Sequence, residues 1–246
     1  MASPHPRPRV RWLRWVIVAG AVVVVAGVAG PFVYIHLLSG QAPAQLSLKP
    51  SATPSARPRS AGSAAAQAAS GAGVAGTWTI GRGSEVEYRV REVLLGQGQT
   101  AVDVGHSVTG RLVISGMTVT AATFTVPMAT IKSDKSERDA QFDGRIMDVA
   151  AYPDGTFALT RPIALAPLPR AGTVRDYTAH GNLELHGRTR AVTFSLQAQR
   201  GADDIKVAGQ INVPFAEWDI SNPSFGSFVT TQNHGLLEFL LVLGRG

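Results

Sequence analysis

No cysteine occurs at any of the 246 positions of the chain. This absence excludes disulfide bonds, thiol nucleophiles, thiolate metal sites and a lipid anchor attached to cysteine. Hydrophobic residues make up 45% of the chain, which is enough for the core of one domain of ordinary size together with a tail.

Acidic residues are absent from the first 75 positions, which carry seven of the 23 Lys and Arg residues. Residues 76–246 therefore hold sixteen basic residues against seventeen acidic ones and are close to neutral. The net charge of +6 therefore comes from residues 1–75. Their basic side chains are expected to fix the membrane topology and to contact anionic lipid headgroups. This distribution does not indicate nucleic-acid binding.

A long run without charged residues follows the basic N-terminal tail, residues 1–14. About 20 apolar residues at a rise of 1.5 Å cover the roughly 30 Å hydrocarbon core of a bilayer, so residues 15–38 are predicted to form an uncleaved transmembrane helix, a signal-anchor. A cleavable signal peptide is the alternative, but its apolar region usually has only about 7 to 15 residues. Four arginines precede the run, and the positive-inside rule predicts a single-pass protein of the cell membrane with a cytoplasmic N-terminus.

Residues 39–75 are rich in Ala, Ser, Pro and Gly and contain few large apolar side chains. Such a segment cannot bury enough surface to offset its ordering entropy, and it is predicted to be a disordered linker. About 35 flexible residues span on the order of 30 to 36 Å. The domain that follows is therefore expected to lie close to the outer face of the cell membrane, in the cell envelope.

From residue 76 onward, polar and apolar residues alternate with the period of β-strands. In SEVEYRVRE, Val86, Tyr88 and Val90 share one face. The other strands are predicted at residues 108–114, 122–131, 155–160, 177–185, 191–199, 205–213 and 236–243. Short connections containing Gly, Pro or Asp favour antiparallel pairing in a meander, which predicts an all-β domain over residues 76–246.

One segment, residues 133–153, has a helical pattern. Ser133 or Asp134 is available as an N-cap, and Asp143-Gly144 is expected to divide the segment into two short turns. The predicted apolar stripe consists of Phe142, Ile146, Met147 and Val149.

The segment GNLELHGRTRAVTFSLQA, residues 181–198, predicts a hairpin with Gly187 in the turn. His186 then lies beside the turn, where a structural role is favoured over catalysis. His106, His180, His186 and His234 have no metal-binding spacing, and no G-x-S-x-G motif occurs. The acidic residues of 134–148 alternate with basic ones, as is typical of a solvated helix. No enzyme activity and no metal site are therefore predicted.

A loop rich in Ser, Asn and Gly, residues 221–235, carries Phe225 and Phe228 and is either a flap over one end of the domain or a surface connection. Trp218, near its start, either packs on the sheet or gates an opening.

Five short motifs follow one another: residues 76–90 (GTWTI to SEVEYRV), Val108-x-Gly110, Arg138-Asp139, residues 148–157 (DVAAYPDGTF) and residues 181–192 (GNLELHGRTRAV). In this order they resemble the YceI-like family of lipid- and polyisoprenoid-binding proteins, over about residues 76–243. The sequence departs from the family pattern in three places, all of which concern the mouth of a pocket. Val90-Arg91-Glu92 stands where the family often has a histidine, and Trp218-Asp219 stands where it often has a Phe-Gly. The segment GQGQTAVDVGH is insertion-like.

The resemblance implies an eight-stranded antiparallel, lipocalin-like barrel with a short helical excursion. Its lumen would hold a long isoprenoid or similar lipid, such as a quinone or a polyprenyl carrier, for sequestration or transfer without catalysis. A barrel of eight strands is either just filled by its side chains or able to hold one slim ligand. The alternative is a solid-cored barrel that acts as an interaction module of the cell envelope.

The residues predicted to line the lumen are the inward-facing apolar ones of the strands: Val86, Tyr88, Val90, Phe124, Val126, Met128, Phe157, Leu159, Leu183, Leu185, Val192, Phe194, Leu196, Val207, Ile211, Phe239 and Leu241. The candidates for the mouth are Arg91, His180, His186 and Trp218.

Overall fold

Alternation of polar and apolar residues produces an all-antiparallel sheet in the part of the chain that the structure describes. The computed structural model describes residues 42–48, 73–94, 96–224, 226 and 229–246. Its strands are β1 (Gly76–Ile80), β2 (Glu85–Leu94), β3 (Gln97–Gly105), β4 (Thr109–Ser115), β5 (Thr118–Pro127), β6 (Asp154–Leu159), β7 (Ile163–Ala164), β8 (Val174–Leu185), β9 (Arg188–Arg200), β10 (Asp204–Pro214), β11 (Val229–Thr231) and β12 (His234–Arg245).

The sheet closes on itself as an eight-stranded barrel. Its order is β1-β4-β5-β6-β8-β9-β10-β12, and β12 pairs again with β1. β2 continues along the edge of β12 where β1 ends, since Ile80 pairs with Leu243 and Glu85 pairs with Leu240. The predicted closed antiparallel barrel is thus confirmed, and closure leaves the inward side chains of all eight strands in one interior.

The segment GQGQTAVDVGH, where no strand is predicted, contains β3, which pairs with β2 over nine residues, from Val86 opposite Gly105 to Leu94 opposite Gln97. β3 lies outside the strand order that closes the barrel. Its inward positions are Ala101, Asp103 and Gly105, so small residues and a carboxylate stand where large apolar side chains would have indicated a strand.

The helical excursion between β5 and β6 is shorter than the predicted segment of residues 133–153. A 3-10 turn, Met128–Thr130, precedes an α-helix, α1 (Ser136–Gln141), and a π-helical turn, Phe142–Ile146, follows it directly. Neither Ser133 nor Asp134 caps α1. Instead the Ser133 backbone N–H and hydroxyl both donate to Asp139 Oδ1, at 2.8 and 2.7 Å. Three members of the predicted apolar stripe are buried, namely Phe142, Ile146 and Met147.

The predicted hairpin between β8 and β9 is confirmed, with Leu185 paired to Arg188 across a two-residue turn. His186 and Gly187 have φ angles of +48° and +69°, which suit this turn. The His186 ring lies edge-on to Tyr152 at 4.8 Å, and its Nδ1 is 3.2 Å from the Trp218 carbonyl oxygen. His186 therefore serves the turn and its packing.

Several predictions fall on residues outside the described part of the chain. These are the cytoplasmic tail, the transmembrane helix of residues 15–38, most of the linker, and the positions of Phe225 and Phe228. Within the described ranges, no helix is both long and apolar enough to cross a bilayer.

Two described stretches belong to the predicted linker. Residues 42–48 hydrogen-bond to the barrel wall. Val74 is 4% exposed, and its carbonyl oxygen accepts a hydrogen bond of 2.8 Å from Trp78 Nε1. The packed domain therefore begins a few residues before β1.

Candidate functional site

The barrel interior contains a cavity of about 250 Å³. All of the predicted lumen-lining residues except Val192 lie on its wall, and Val192 packs against the core beside it. An apolar cavity of about 150 Å³ in another protein binds benzene, so this space is large enough for a bigger apolar guest. Contact of these residues with a ligand stays a prediction.

Four phenylalanine rings form a row across the lumen. The ring centroids of Phe124 and Phe157 are 6.5 Å apart, those of Phe157 and Phe194 are 5.6 Å apart, and those of Phe194 and Phe239 are 5.8 Å apart. The last two pairs meet edge-to-face, which is a favourable geometry for aromatic rings. We call these four residues the aromatic row.

A glycine on a neighbouring strand lies beside three of the four rings. A Cβ on Gly209 would be 2.6 Å from the Phe239 ring, and one on Gly181 would overlap the Phe157 ring. Gly110 stands in the same relation to Phe124, at 2.7 Å. Because these positions have no side chain, each ring lies against the barrel wall and leaves the centre of the lumen open.

The helical excursion contributes to the wall at one end of the cavity. Phe142, Ile146 and Met147 all line the cavity, and the Phe142 ring stacks on Tyr88 at 5.1 Å. The sequence pattern marked these three residues as an apolar stripe but did not indicate that they would lie on the lumen wall.

The opposite end of the cavity is bordered by two polar residues as well as by apolar ones. Leu165 and Leu168, from the loop between β7 and β8, lie there with Gln199 and Arg200 at the end of β9. Arg200 faces the same side of β9 as Phe194, because the two are six residues apart on one strand. Its Nε is buried and has no hydrogen-bond partner within the described residues.

Arg200 is one of two charged residues that border the cavity in the described part of the chain, and its parity on β9 places its side chain on the inner face. Glu87 also borders the cavity, but its carboxylate bonds Arg89 on the outer face of β2. Arg200 is not among the site residues predicted from the sequence. The available signal was its even spacing from Val192, Phe194 and Leu196 on an alternating strand.

None of the four predicted mouth residues lies on the cavity wall. Arg91 is exposed on the outer face of β2, next to inward Val90. His180 also faces outward, where its Nδ1 is 2.9 Å from Thr193 Oγ1. His186 occupies the hairpin turn.

Trp218 is 1% exposed and packs in the core, with Nε1 donating to the Leu183 carbonyl oxygen at 3.3 Å. Of the two roles predicted for it, the structure shows packing rather than gating.

A buried carboxylate lies close to the excursion end of the cavity. Asp103 is 1% exposed and stands opposite Tyr88 in the β2–β3 register, so both side chains project from the same face. Arg138 Nη1 of α1 is 4.0 Å from Asp103 Oδ1, and neither Asp103 oxygen has a hydrogen-bond partner among the described residues.

Burial raises the pKa of Asp103 to about 6, although Tyr88 and Arg138 act in the opposite direction. Burial also raises the pKa of Tyr88, with a further contribution from the Asp103 charge. In the described part of the chain, no group of three His, Asp or Glu side chains is placed to hold a metal ion.

A model of the YceI-like domain matches residues 78–242. Among solved structures, a polyisoprenoid-binding domain from Saccharophagus degradans, implicated in plant cell wall breakdown, superposes with a TM-score of 0.57 at 14% identity, over 70% of this chain and 99% of that one. BcnA from Burkholderia cenocepacia superposes with a TM-score of 0.51 at 18% identity, over 65% of this chain and 95% of its own. At these identities the likeness shows a shared fold. No curated protein matches the chain.

Gly209→Ala should push the Phe239 ring toward the lumen and lower the free energy of unfolding by about 1–3 kcal/mol, as overpacking does. Urea denaturation measures this change. The control is Gly244→Ala, where an added Cβ meets no atom within 4 Å. Phe239→Leu added to Gly209→Ala should restore part of the loss, and a Gly209→Ala protein as stable as the parent would contradict the close fit.

Asp103 should make the protein more stable in acid. Its folded-state pKa lies above the ordinary 3.8, so its favourable contribution is complete below about pH 4 and is lost as the pH rises through 6. The full difference is about 3 kcal/mol, of which about 1.4 kcal/mol falls between pH 5 and pH 8. Urea unfolding at both pH values should show this part in the parent protein but not in Asp103→Asn. The control variant Asp176→Asn, which changes an exposed residue, should retain this change in stability between the two pH values.

Proposed function

This chain belongs to the YceI-like domain family. We propose that it binds a lipid tail inside the barrel without transforming it. We further propose that the protein is anchored in the membrane. The observation that carries the proposal is the apolar cavity of about 250 Å³ within a closed barrel. A solid-cored interaction module, the alternative function, requires no such space.

The wall of the lumen suits a branched hydrocarbon. It combines the aromatic row with aliphatic side chains such as Val126, Leu159 and Ile211. Burial of each CH₂ is worth roughly 0.8 kcal/mol, so one five-carbon isoprenoid unit contributes on the order of 3 kcal/mol before ordering costs. The name of the Saccharophagus degradans domain, a polyisoprenoid-binding domain, supports an isoprenoid as the ligand class.

Arg200 is the proposed contact for the head of the lipid. A guanidinium group with a buried, unpartnered Nε favours a hydrogen-bond acceptor, such as a quinone carbonyl or a phosphate oxygen. The tail then extends toward Phe142 and Ile146 at the excursion end.

The location proposed for the barrel is the outer face of the cell membrane. It rests on the sequence pattern of residues 15–38 and on the four arginines that precede them. A barrel held beside the bilayer takes up a lipid tail from it or returns one to it, which amounts to sequestration or transfer.

Phe194→Asp should abolish co-purification of lipid with the full chain, because it places a charge in the middle of the aromatic row. Native mass spectrometry followed by lipid extraction measures the bound lipid. The matched control is Ser195→Asp, which adds the same charge to the next, exposed residue of β9.

Phe194→Trp separates lumen filling from misfolding, because it narrows the lumen and keeps the wall apolar. It should also reduce the bound lipid. Equal lipid in Phe194→Asp and Ser195→Asp, with both proteins folded, would falsify lumen binding.

Arg200→Met should weaken binding of farnesyl phosphate by roughly 10- to 100-fold, the range expected when a hydrogen bond to a charged group is lost. Binding of farnesol should change little, since its tail contacts are the same. The matched control is Arg91→Met, which removes an exposed arginine from the outer wall. Titration by tryptophan fluorescence or calorimetry gives the affinities, and an equal loss for both ligands would contradict the assigned head position.

A further inference from the structure

A short segment of the chain upstream of the barrel is bound to the outer wall. The Arg89 guanidinium donates to the carbonyl oxygens of Pro43 and Ala44, at 2.7 and 2.9 Å. The Leu46 backbone N–H donates to Glu238 Oε2 at 3.2 Å, and the Leu48 N–H donates to Gln197 Oε1 at 3.0 Å. We call residues 42–48 the strap.

The wall beneath the strap holds a buried charged triad, Glu87, Arg89 and Glu238. Arg89 Nη2 is 2.7 Å from Glu87 Oε2, and Arg89 Nε is 2.8 Å from Glu238 Oε2. Glu238 is 0% exposed although its side chain points away from the lumen. Buried ions are costly unless their hydrogen-bonding groups find partners, and backbone groups of the strap supply three of those partners.

The strap has the alternation of an extended chain. Leu46 and Leu48 are half-buried and donate their N–H groups to the wall, whereas Gln45 and Ser47 are exposed. Its partners lie on β2, β12 and β9, so the strap runs across the strands of one side of the barrel. We call this side, β2, β12, β10 and β9, the strap wall.

Because the strap is bound to the barrel from residue 42 onward, the stretch of free chain between the predicted membrane span and the barrel is shorter than the whole linker. If residues 15–38 cross the membrane, three residues remain between the span and the strap. Four Cα–Cα steps of 3.8 Å reach about 15 Å at most, against the 30 to 36 Å of a flexible linker of about 35 residues. The strap wall is therefore the side of the barrel nearest to the point where the chain leaves the bilayer.

The outer face of β12 provides a second argument. It carries Leu236, Leu240 and Val242 on both sides of Glu238, all of them half-buried. A strand that faces water on its outer side normally alternates with polar residues there. An apolar outer face is suited to the interfacial zone of a membrane.

We infer that the strap holds the barrel on the membrane by one side, with the strap wall toward the bilayer, instead of leaving it at the end of a long tether. The inference rests on the proposed membrane anchor. The partner surface is a lipid bilayer, and the strap is the element that orients the barrel on it.

The lack of native cysteine allows a site-specific test in the full chain. A fluorophore is attached either to Asn212→Cys on β10 of the strap wall or to Ala158→Cys on β6 of the opposite wall, both exposed positions. The protein is placed in phosphatidylcholine–phosphatidylglycerol vesicles that contain a lipid with a nitroxide on its headgroup. Quenching of the label at 212 should exceed that at 158 at least twofold.

Two proline variants separate the strap from other causes of this asymmetry. Leu46→Pro with Leu48→Pro removes the two N–H groups that bind the wall and should abolish the difference in quenching. Gln45→Pro with Ser47→Pro introduces the same number of prolines at exposed positions without a described N–H bond, and should preserve it. Equal quenching at both sites in the parent, or asymmetry that survives Leu46→Pro with Leu48→Pro, overturns the inference.

Flotation and hydrogen exchange distinguish the two proposals. A full chain that does not float with the vesicles overturns the anchor, and with it the orientation on a membrane. Hydrogen exchange of the same chain then reports on the strap alone, with the amides of Leu46 and Leu48 expected to exchange at least tenfold more slowly than those of Gln45 and Ser47. Uniformly fast exchange across residues 42–48 in a protein that does float overturns the strap and leaves the anchor standing.

Discussion

The open lumen depends on the pairing of large rings with glycines across neighbouring strands. In a closed barrel every strand directs half of its side chains to the same interior, and eight strands are near the number at which that interior fills completely. Here Gly209 accommodates Phe239, and Gly181 accommodates Phe157. The rings lie against the backbone at these glycines, so the wall is well packed although the centre is open. Stability and capacity for a guest thus come from the same contacts.

Charged groups are kept away from this interior in three different ways. The triad of Glu87, Arg89 and Glu238 lies on the outer face, where backbone groups of the strap complete its hydrogen bonds. Asp103 is on the inner face but beneath the excursion, where burial raises its pKa to about 6. Arg200 is the last residue of β9 and borders the cavity only at its end. The middle of the lumen consequently offers a lipid tail only non-directional contacts.

The barrel and most of its lumen could be predicted from the sequence because alternation reports the face of each residue directly. The assignment of Val86, Tyr88 and Val90 to one face needed no knowledge of their neighbours. β3 could not be predicted as a strand because its inward positions hold Ala101, Asp103 and Gly105, which do not form a run of large apolar residues. The docking of the strap could not be predicted for a different reason. Pro43 and Ala44 bind the barrel through their carbonyl oxygens, and composition does not report on backbone hydrogen bonds. The mouth could not be predicted from the residue types of its candidates, since the parity of His180 and Arg91 on their strands places both on the outer face.

The two ends of the cavity make one orientation of a bound lipid more favourable under the proposed function. A polar head at the excursion end would lie among the apolar side chains of Phe142, Ile146 and Met147 and close to the Asp103 carboxylate, which when ionised repels a phosphate and has no donor for a quinone carbonyl. A head at the opposite end meets Arg200, whose Nε has no hydrogen-bond partner among the described residues. The tail gains the same apolar contacts in either direction. The difference between the two orientations therefore comes almost wholly from the head, and it favours a tail that points to the excursion with its head at Arg200.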